Sequence, residues 1–499
     1  MLSFGFGRSA LVPVLIAFLF VSATFLFNWR LDLSKITSFS FLTNQNASPR
    51  RDCFNGNFSP PASSSPSPSP SPSTSPPPPP PPSWNSSRSS LTCPEYFRWI
   101  HEDLKPWKRT GITRNMLEFD KSLADFKLVI YKGKAYVETY RRSFQTRDVF
   151  TLWGISQLLK MYPGQVPDLE LLFHCGDLSK VHKRDFLGSH ASMPSVVPPP
   201  VFHYCGDDST FDIVFPDWSF WGWGELSIRP WERVLKDIEE GNKKIKWKDR
   251  IPYAFWKGNP TTSRVRGNLL KCNASHQHES YAHVYSLSWD KEIQQNFRNT
   301  KLENQCTYRY KIYAEGRSWS VSEKYILACD SMTMFIEPKN YDFYTRSLVP
   351  LQHYWPIRPN HMCKDIKFAV NWGNSHPKQA QKIGKEGLKF LQEEVKMKYV
   401  YDYMLHVLRE YASLMRFKPV IPVGAVEICS EVKDCHMEGV WKEFLNESRV
   451  ESPSTESPCE LPPPYDSQHL QHIADRNNGL IRRVQSKGRE HWLDVCLES

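Results

Sequence analysis

The stretch GRSWSVSEKYILACDSMTMFI, residues 316–336, carries the clearest structural pattern in the chain. A loop with a Gly-x-Ser-x-Ser pattern leads into a predicted helix over residues 322–329, and a buried strand is predicted at 332–336. Ser320 and Glu323 have the spacing of a capping box, which would mark the start of the helix. Backbone N–H groups at such a helix start converge on the loop and can bind a phosphate group.

Phosphate binding is one of two interpretations of this loop. Arg317 adds a planar, permanently charged donor, which favours an anionic ligand. A well-capped surface helix with an incidental arginine would give the same pattern. The residues of the segment alone leave both interpretations open.

Short strands and helices alternate on both sides of this stretch. Residues 127–140, KLVIYKGKAYVETY, alternate in polarity and turn at Lys132-Gly133, which predicts a β-hairpin. Hydrophobic periodicity predicts strands at 169–174 and 253–256, helices at 150–161 and 231–240, and a pair of long amphipathic helices over 377–416. Strands separated by helices predict an α/β fold with largely parallel sheets.

An uncharged apolar run, residues 10–27, is long enough to span a bilayer. A cleaved signal peptide is the alternative, because Val21-Ser22-Ala23 resembles a small-residue cleavage site. The run continues through Phe27, beyond that site, which favours a membrane anchor.

A Ser/Pro-rich tract follows the apolar run. Residues 59–83, SPPASSSPSPSPSPSTSPPPPPPPS, cannot form a core and should extend as a polyproline-like rod. We interpret it as a stem, although a wall-structural protein would use such a tract as its functional part. The predicted divisions are a cytosolic tail (1–9), a transmembrane signal anchor (10–29), a disordered stem (30–92), a lumenal catalytic domain (93–450) and a C-terminal extension (451–499).

Cysteine and asparagine patterns indicate the compartment. Twelve cysteines without a CxxC pair favour disulfides and an oxidising lumen. Asn-x-Ser sequons favour the same location, although chance could explain the first three in a Ser-rich region; they start at Asn46, Asn57, Asn85, Asn273 and Asn446. The chain lacks a KDEL-type terminus, so we expect a single-pass Golgi membrane protein, with the endoplasmic reticulum as the alternative.

The net charge argues against one class of partner. Lys and Arg number 63 against 53 Asp and Glu, a formal charge of +10, but they are scattered. Nucleic-acid binding is therefore not expected. A diffuse positive bias suits an enzyme that attracts an anionic substrate.

Five short motifs in order resemble the Rumi-like protein O-glucosyltransferases, glycosyltransferase family 90. Besides residues 316–336, they are VPD at 166–168, FPDWSFW at 215–221, YAFWKG at 253–258 and VPLQHY at 349–354. The resemblance covers roughly residues 93–418. It implies a two-lobed GT-B fold, a UDP-sugar donor, inversion at the anomeric carbon and no metal.

The resemblance also implies roles for individual residues. Asp168, in the Pro-Asp pair before a buried strand, falls where the family has its catalytic base. The nucleotide diphosphate is expected at Lys257 and along the loop, at Arg317, Ser318, Trp319, Ser320, Val321 and Ser322. The acceptor and donor sugars are expected beside Trp218, Ser219, Phe220, Trp221 and Gly222. Cys306 and Cys329 match a family disulfide in spacing.

Two departures and two alternatives accompany these assignments. Lys257 replaces the usual arginine, which exchanges a bidentate fork for a point charge. Ser322 stands where animal members carry a basic residue, so the donor sugar is left open. Glu337, at the end of a buried strand, could bind ribose hydroxyls or cap the following loop. Asp168 could equally be a carboxylate at a turn or strand start.

The chemistry of inverting glycosyl transfer fits these residue types. One carboxylate must take the acceptor proton, and positive groups must stabilise the departing diphosphate. Asp168 is the first candidate for the carboxylate and Asp217 the next. The chain contains no Asp-x-Asp triplet to hold a cation, so we expect no metal and no cofactor besides the UDP-sugar.

We therefore expect transfer of glucose from UDP-glucose to a protein serine. The alternatives are a UDP-xylose transferase acting on a glycan or wall polysaccharide, and a non-catalytic sugar-binding or wall-structural protein.

Overall fold

The computed structural model describes residues 91–188, 191–193, 196–273 and 281–486. The strands are, in chain order, β1 (Phe126–Tyr131), β2 (Lys134–Thr139), β3 (Leu169–Phe173), β4 (Val201–His203), β5 (Gly206–Asp207), β6 (Ile213–Val214), β7 (Ile251–Gly258), β8 (Ala282–Ser286), β9 (Tyr308–Tyr313), β10 (Met332–Ile336), β11 (Asn340–Tyr341), β12 (Trp355–Ile357) and β13 (Val426–Glu427).

The α-helices are α1 (Trp99–Asp103), α2 (Arg114–Glu118), α3 (Arg147–Met161), α4 (Lys183–Phe186), α5 (Trp231–Lys244), α6 (Arg264–Leu269), α7 (Trp289–Gln294), α8 (Ser322–Leu327), α9 (Met362–Ser375), α10 (Pro377–Glu394), α11 (Met397–Leu414), α12 (Gly439–Glu447) and α13 (Ser467–Gln485). The predicted hairpin, strands and helices are all present, with ends shifted by a few residues.

The first sheet has the order β13-β2-β1-β3-β4-β6. β1 and β2 form the hairpin through Lys132 and Gly133, which both have positive φ as a two-residue hairpin turn requires. β3 runs antiparallel to β1 but parallel to β4, and β4 runs parallel to β6. This sheet is therefore mixed: its β3-β4-β6 part is parallel, as expected for the α/β fold, and its other part contains the antiparallel hairpin. The physical reason is the tight turn, which can join only antiparallel strands.

The second sheet has the order β12-β10-β9-β7-β8, and all its strands are parallel. Its central strand β10 is buried at every residue. Continuous apolar strands are typical of parallel sheets that are covered on both faces. A separate two-stranded ribbon pairs β5 with β11.

The two long helices predicted near the C-terminal half are α10 and α11. α11 buries Tyr403, Leu405 and Leu408 in the core of the first sheet. α10 packs against β10 of the second sheet, and Gly384 allows its backbone to approach the turn before that strand. The strands β7, β9, β10 and β12 contribute to a second apolar core.

Four disulfides link the described residues. Cys306 and Cys329 are joined, which confirms the expected pair. The others join Cys93 to Cys459, Cys272 to Cys363, and Cys429 to Cys435. The Cys93–Cys459 bridge spans 366 residues and joins the start of the described chain to the predicted C-terminal extension.

Several predicted features lie outside the described residues. They are the anchor at 10–29, nearly all of the stem, and the sequons at Asn46, Asn57 and Asn85. Asn273 and Asn446 are described and exposed. Across 91–486, leaving out the gaps given above, no helix is both long enough and apolar enough to cross a membrane.

We predict that Gly384→Ala destabilises the protein. A Cβ there would lie 2.7 Å from the carbonyl carbon of Ser331 and 3.0 Å from the carbonyl oxygen of Asp330, so backbone must shift. We expect a loss of about 1–3 kcal/mol in the free energy of unfolding. Urea unfolding of the purified protein measures it.

Gly479→Ala is the matched control in α13. Its Cβ would meet no atom within 4 Å. Alanine there should stabilise the helix by about 0.5–1 kcal/mol. Equal effects of the two substitutions would contradict the packing argument.

Candidate active site

The candidate site lies where the carboxyl ends of strands from both sheets meet. Ser318 follows β9, and its hydroxyl donates to the carbonyl oxygen of Asp177, which follows β3. The indole ring of Trp319 lies 6.1 Å from that of Trp218. Ligands of α/β folds bind at the carboxyl ends of parallel strands, so we expect the ligand site at this contact.

The 316–321 loop presents several donors at this contact. Arg317 is exposed, and its guanidinium makes no hydrogen bond or ion pair with any described residue. The backbone N–H groups of Gly316 and Arg317 are likewise free within the described part of the chain. A Cβ on Gly316 would have no neighbour closer than 3.8 Å, so this side of the loop is open. The loop can therefore bind an anion.

Arg266, in α6, holds the loop from behind. Its guanidinium donates to the carbonyl oxygen of Ala314, from Nε at 3.1 Å and from Nη2 at 3.0 Å. Nη2 also donates to the hydroxyl of Ser320 at 3.0 Å. Burial lowers the pKa of Arg266. Arg266 was not predicted from the sequence, where the only sign of its role is that it is the second arginine of the short helix after β7.

The start of α8 differs from the predicted capping box. Residue 321 precedes the helix with helical dihedrals and no side-chain cap. The carboxylate of Glu323 is buried and accepts a hydrogen bond from Thr345 at 2.9 Å, and burial raises its pKa to about 7. The Ser320 hydroxyl bonds Ser322 instead of the helix backbone. The capping-box prediction is therefore wrong, because tertiary partners take both side chains.

Lys257 and Glu337 occupy the same edge of the second sheet as the loop. The ammonium of Lys257 donates to the carbonyl oxygen of Asn299 at 2.9 Å and lies 3.4 Å from Glu292. Among the described residues, no hydrogen bond or ion pair joins its ammonium to the loop. Glu337 is exposed after β10, and Gln485 of α13 donates to its carboxylate at 3.4 Å.

Asp168 lies at the other end of β3. Its carboxylate is exposed and accepts the backbone N–H of Lys132 in the hairpin turn at 2.7 Å. The five residues of β3 separate it from the loop contact, roughly 17 Å at 3.3 Å per residue. The carboxylate of Asp168 therefore caps a turn at the amino end of the strand, whereas the loop contact lies beyond its carboxyl end.

Asp177 is the carboxylate that does lie at the loop contact. Oδ1 accepts a hydrogen bond from Nη1 of Arg147 at 2.9 Å, and the side chain is 35% exposed. Its second oxygen makes no hydrogen bond to a described residue. The sequence argument missed Asp177, although a carboxylate just after a buried strand was an available signal.

Buried side chains fix the backbone that carries Asp177. Asp125 accepts hydrogen bonds from the Nδ1 of His174 at 2.8 Å and from the N–H of Cys175 at 2.6 Å. Burial alone would raise the pKa of Asp125, but these bonds and Arg141 outweigh it and lower the pKa to about 2. Asp125 is therefore a charged anchor for this turn.

Three buried donors at the site have no hydrogen-bond partner in the part of the chain that the structure describes. They are Nε1 of Trp218, Nε1 of Trp319 and Nε of Arg147. The guanidinium of Arg147 also lies over the Trp218 ring at 4.3 Å. Unpaired buried donors are costly, so their clustering fits a ligand rich in acceptor oxygens, such as a sugar phosphate.

Most other residues of the 217–222 segment pack in the protein interior. Ser219, Phe220 and Trp221 are fully buried, and Trp221 donates to the hydroxyl of Tyr401. Gly222 has a φ of 131° and lies against Phe444. Of the predicted sugar-contact residues, Trp218 is the one that touches Arg147 and Trp319.

Comparison with known proteins identifies relatives over most of the chain. Residues 88–488 match glycosyl transferase family 90. O-glucosyltransferase rumi of Drosophila melanogaster is 22% identical over 344 residues, which cover 67% of this chain and 80% of the relative. Protein O-glucosyltransferase 2 of Danio rerio is 24% identical over 69% of this chain and 67% of the relative. Protein O-glucosyltransferase 1 of Homo sapiens is 22% identical over 66% and 82%.

A solved structure is also similar to part of the chain. The C-terminal domain of a glycosyl transferase group 1 family protein from Francisella tularensis aligns over 35% of this chain and all of its own length, with 12% identity and a TM-score of 0.22. The family match extends over far more of the sequence and includes every residue of the site. The chain therefore belongs to glycosyl transferase family 90 and is an enzyme of that family.

Proposed function

We propose that the chain is an inverting, metal-independent transferase that moves glucose from UDP-glucose to a serine hydroxyl of a secretory-pathway protein. One observation carries the proposal: a half-buried carboxylate, Asp177, lies beside a loop whose cation and N–H groups are free. The relatives named protein O-glucosyltransferase support the glucose donor and the protein acceptor. We also propose the two-lobed GT-B arrangement, which two separate sheets support.

Asp177 is the better candidate for the general base. Its free oxygen can take the proton of the acceptor hydroxyl while the acceptor oxygen bonds to the anomeric carbon. Arg147 fixes the other carboxylate oxygen and so the direction of attack. Asp168 remains the alternative from the sequence, but its oxygen already caps the hairpin turn.

The leaving group would be stabilised by the 316–321 loop. As the bond from the anomeric carbon to the diphosphate oxygen breaks, its electron pair stays on UDP, and negative charge grows there. The guanidinium of Arg317 and the backbone N–H groups of Gly316 and Arg317 can stabilise that negative charge without a metal. Arg266 keeps the loop in shape, and Glu337 remains a candidate for the ribose hydroxyls.

Ser322 leaves the sugar specificity open. Its hydroxyl shares a hydrogen bond with Ser320 at 2.9 Å and brings no charge to the site. UDP-xylose with a glycan or wall-polysaccharide acceptor is therefore the second candidate.

The relatives and the disulfides indicate the secretory pathway. We propose a Golgi location with the catalytic part in the lumen, because disulfides persist in oxidising compartments. The apolar run at 10–27 and the stem support a single membrane anchor.

We predict that the purified protein transfers glucose from UDP-glucose, or hydrolyses UDP-glucose, in the presence of EDTA. A panel of UDP-glucose, UDP-xylose and UDP-galactose, each with and without chelator, measures release of UDP. Faster turnover of UDP-xylose would favour the second candidate. Loss of activity in EDTA that manganese restores would reject the metal-free mechanism.

We predict that Asp177→Asn lowers transfer by about 10²-fold or more, because it removes proton acceptance while keeping size. UDP affinity should change little. Asp168→Asn is the matched variant and should keep most of the activity. Initial rates and calorimetric titration with UDP separate chemistry from binding. The assignment would return to Asp168 if its variant lost activity and the Asp177 variant did not.

We predict that Arg317→Ala weakens UDP binding. A charge-assisted contact to phosphate contributes about 1.5–3 kcal/mol, which is roughly 10- to 150-fold in affinity. Arg109→Ala, an exposed arginine elsewhere, is the control and should bind UDP normally. Calorimetry on both variants decides the point. Unchanged UDP affinity in Arg317→Ala would remove this residue from the donor site.

A further inference from the structure

Asp217 and Lys324 form an ion pair in which neither side chain is exposed. The ammonium of Lys324 donates to Oδ2 of Asp217 at 2.9 Å and lies 4.6 Å from the centre of the Phe220 ring. Oδ1 of Asp217 accepts hydrogen bonds from the backbone N–H and the hydroxyl of Ser219. With both oxygens engaged inside the protein, Asp217 cannot receive an acceptor proton, so it is not the alternative base.

The pair joins the two segments that form the site. Asp217 begins the 217–222 segment after β6, whereas Lys324 lies in α8, directly after the 316–321 loop. A second bond runs beside it, from the hydroxyl of Tyr325 to that of Ser219 at 3.2 Å. A shift of either segment would therefore move the loop relative to Trp218, which packs on Arg147 beside Asp177.

A buried ion pair is better explained by a role in orienting its segments than by a contribution to the stability of the fold. Taking two charges out of water is costly, and replacing such a pair by apolar residues is often neutral or stabilising. Burial disfavours the charged form of Lys324, but Asp217 and other groups outweigh it and raise the pKa of Lys324. Burial and the charge of Asp217 raise the pKa of the nearby Asp342.

We propose that Asp217 and Lys324 are a positioning pair that aligns the 217–222 segment and Asp177 with the 316–321 loop. This role rests on the proposed function, in which one segment faces the acceptor and the other faces the donor diphosphate. The pair touches neither substrate. It acts by fixing the distance between the base and the leaving group, to which turnover is sensitive.

Three variants test the proposal: Asp217→Asn, Lys324→Met and the double variant. Each single variant leaves one buried charge without a partner, so its Tm should fall. The double variant removes both charges and should regain most of the lost Tm. Its kcat should nevertheless stay about tenfold or more below that of the unaltered protein, because small misalignments cost that much. Its Kd for UDP should stay within about threefold.

The Asp103–Arg346 pair supplies the matched control. Its side chains are 12% (Arg346) and 7% (Asp103) exposed and are joined by two bonds of 2.7 Å, and no hydrogen bond or ion pair among the described residues links the pair to either site segment. Asp103→Asn with Arg346→Met should show the same recovery of Tm with normal kcat. Full recovery of kcat along with Tm in the Asp217/Lys324 double variant would overturn the positioning role.

Hydrogen exchange gives a readout that needs no activity. Peptides covering residues 316–321 should exchange faster in the Asp217/Lys324 double variant than in the control variant. Unchanged exchange there would also overturn the proposal. Absence of UDP binding and transfer in the unaltered protein would instead reject the proposed function, so the two failures are distinguishable.

Discussion

The hydrogen bond from the Ser318 hydroxyl to the Asp177 carbonyl oxygen is the constraint on which the site depends. Each of these residues follows the carboxyl end of a strand, one in the mixed sheet and one in the parallel sheet. Strand direction therefore brings a carboxylate from one sheet to an anion-binding loop from the other. Neither sheet alone contains both chemical functions. The buried contact between Asp217 and Lys324 joins the 217–222 segment to the helix that follows the loop. The geometry of the site therefore depends on how the two sheets are placed relative to each other.

Charge at the site is divided between groups that build it and groups that are free to meet a ligand. Asp125, Arg147 and Arg266 are fixed by hydrogen bonds to backbone or to neighbouring side chains. Arg317 and one oxygen of Asp177 have no such partner among the described residues. Because the fixed groups are already solvated by the protein, they need not reorganise when charge moves during the reaction. The fixed groups therefore position the free groups.

The sequence predicted the regular elements well and the site only in part. The hairpin at Lys132-Gly133, strand β10 and the pair α10 and α11 follow from local patterns of polarity and turn residues, which the structure preserves. The Cys306–Cys329 disulfide, expected from the family resemblance, is also confirmed. The capping box failed because Thr345, distant in sequence, takes the carboxylate of Glu323. Local spacing shows which capping hydrogen bonds a helix start can form. It does not show which tertiary partner competes for the same side chain.

The proposed change of the candidate base from Asp168 to Asp177 has a related physical cause. Asp168 and Asp177 flank the same buried strand, and both are followed or preceded by residues common at turns. Only the direction of β3 within its sheet decides which end meets the loop, and that direction depends on pairing with β4, some thirty residues further on. The motif that singled out Asp168 lay at the amino end, which faces the hairpin. Arg317 was predicted because an arginine in a glycine-serine loop is a local signal, whereas Arg266, which holds that loop through tertiary hydrogen bonds, was missed. Residues that meet a ligand leave a local signal; residues that position them are recognised only once the chain is folded.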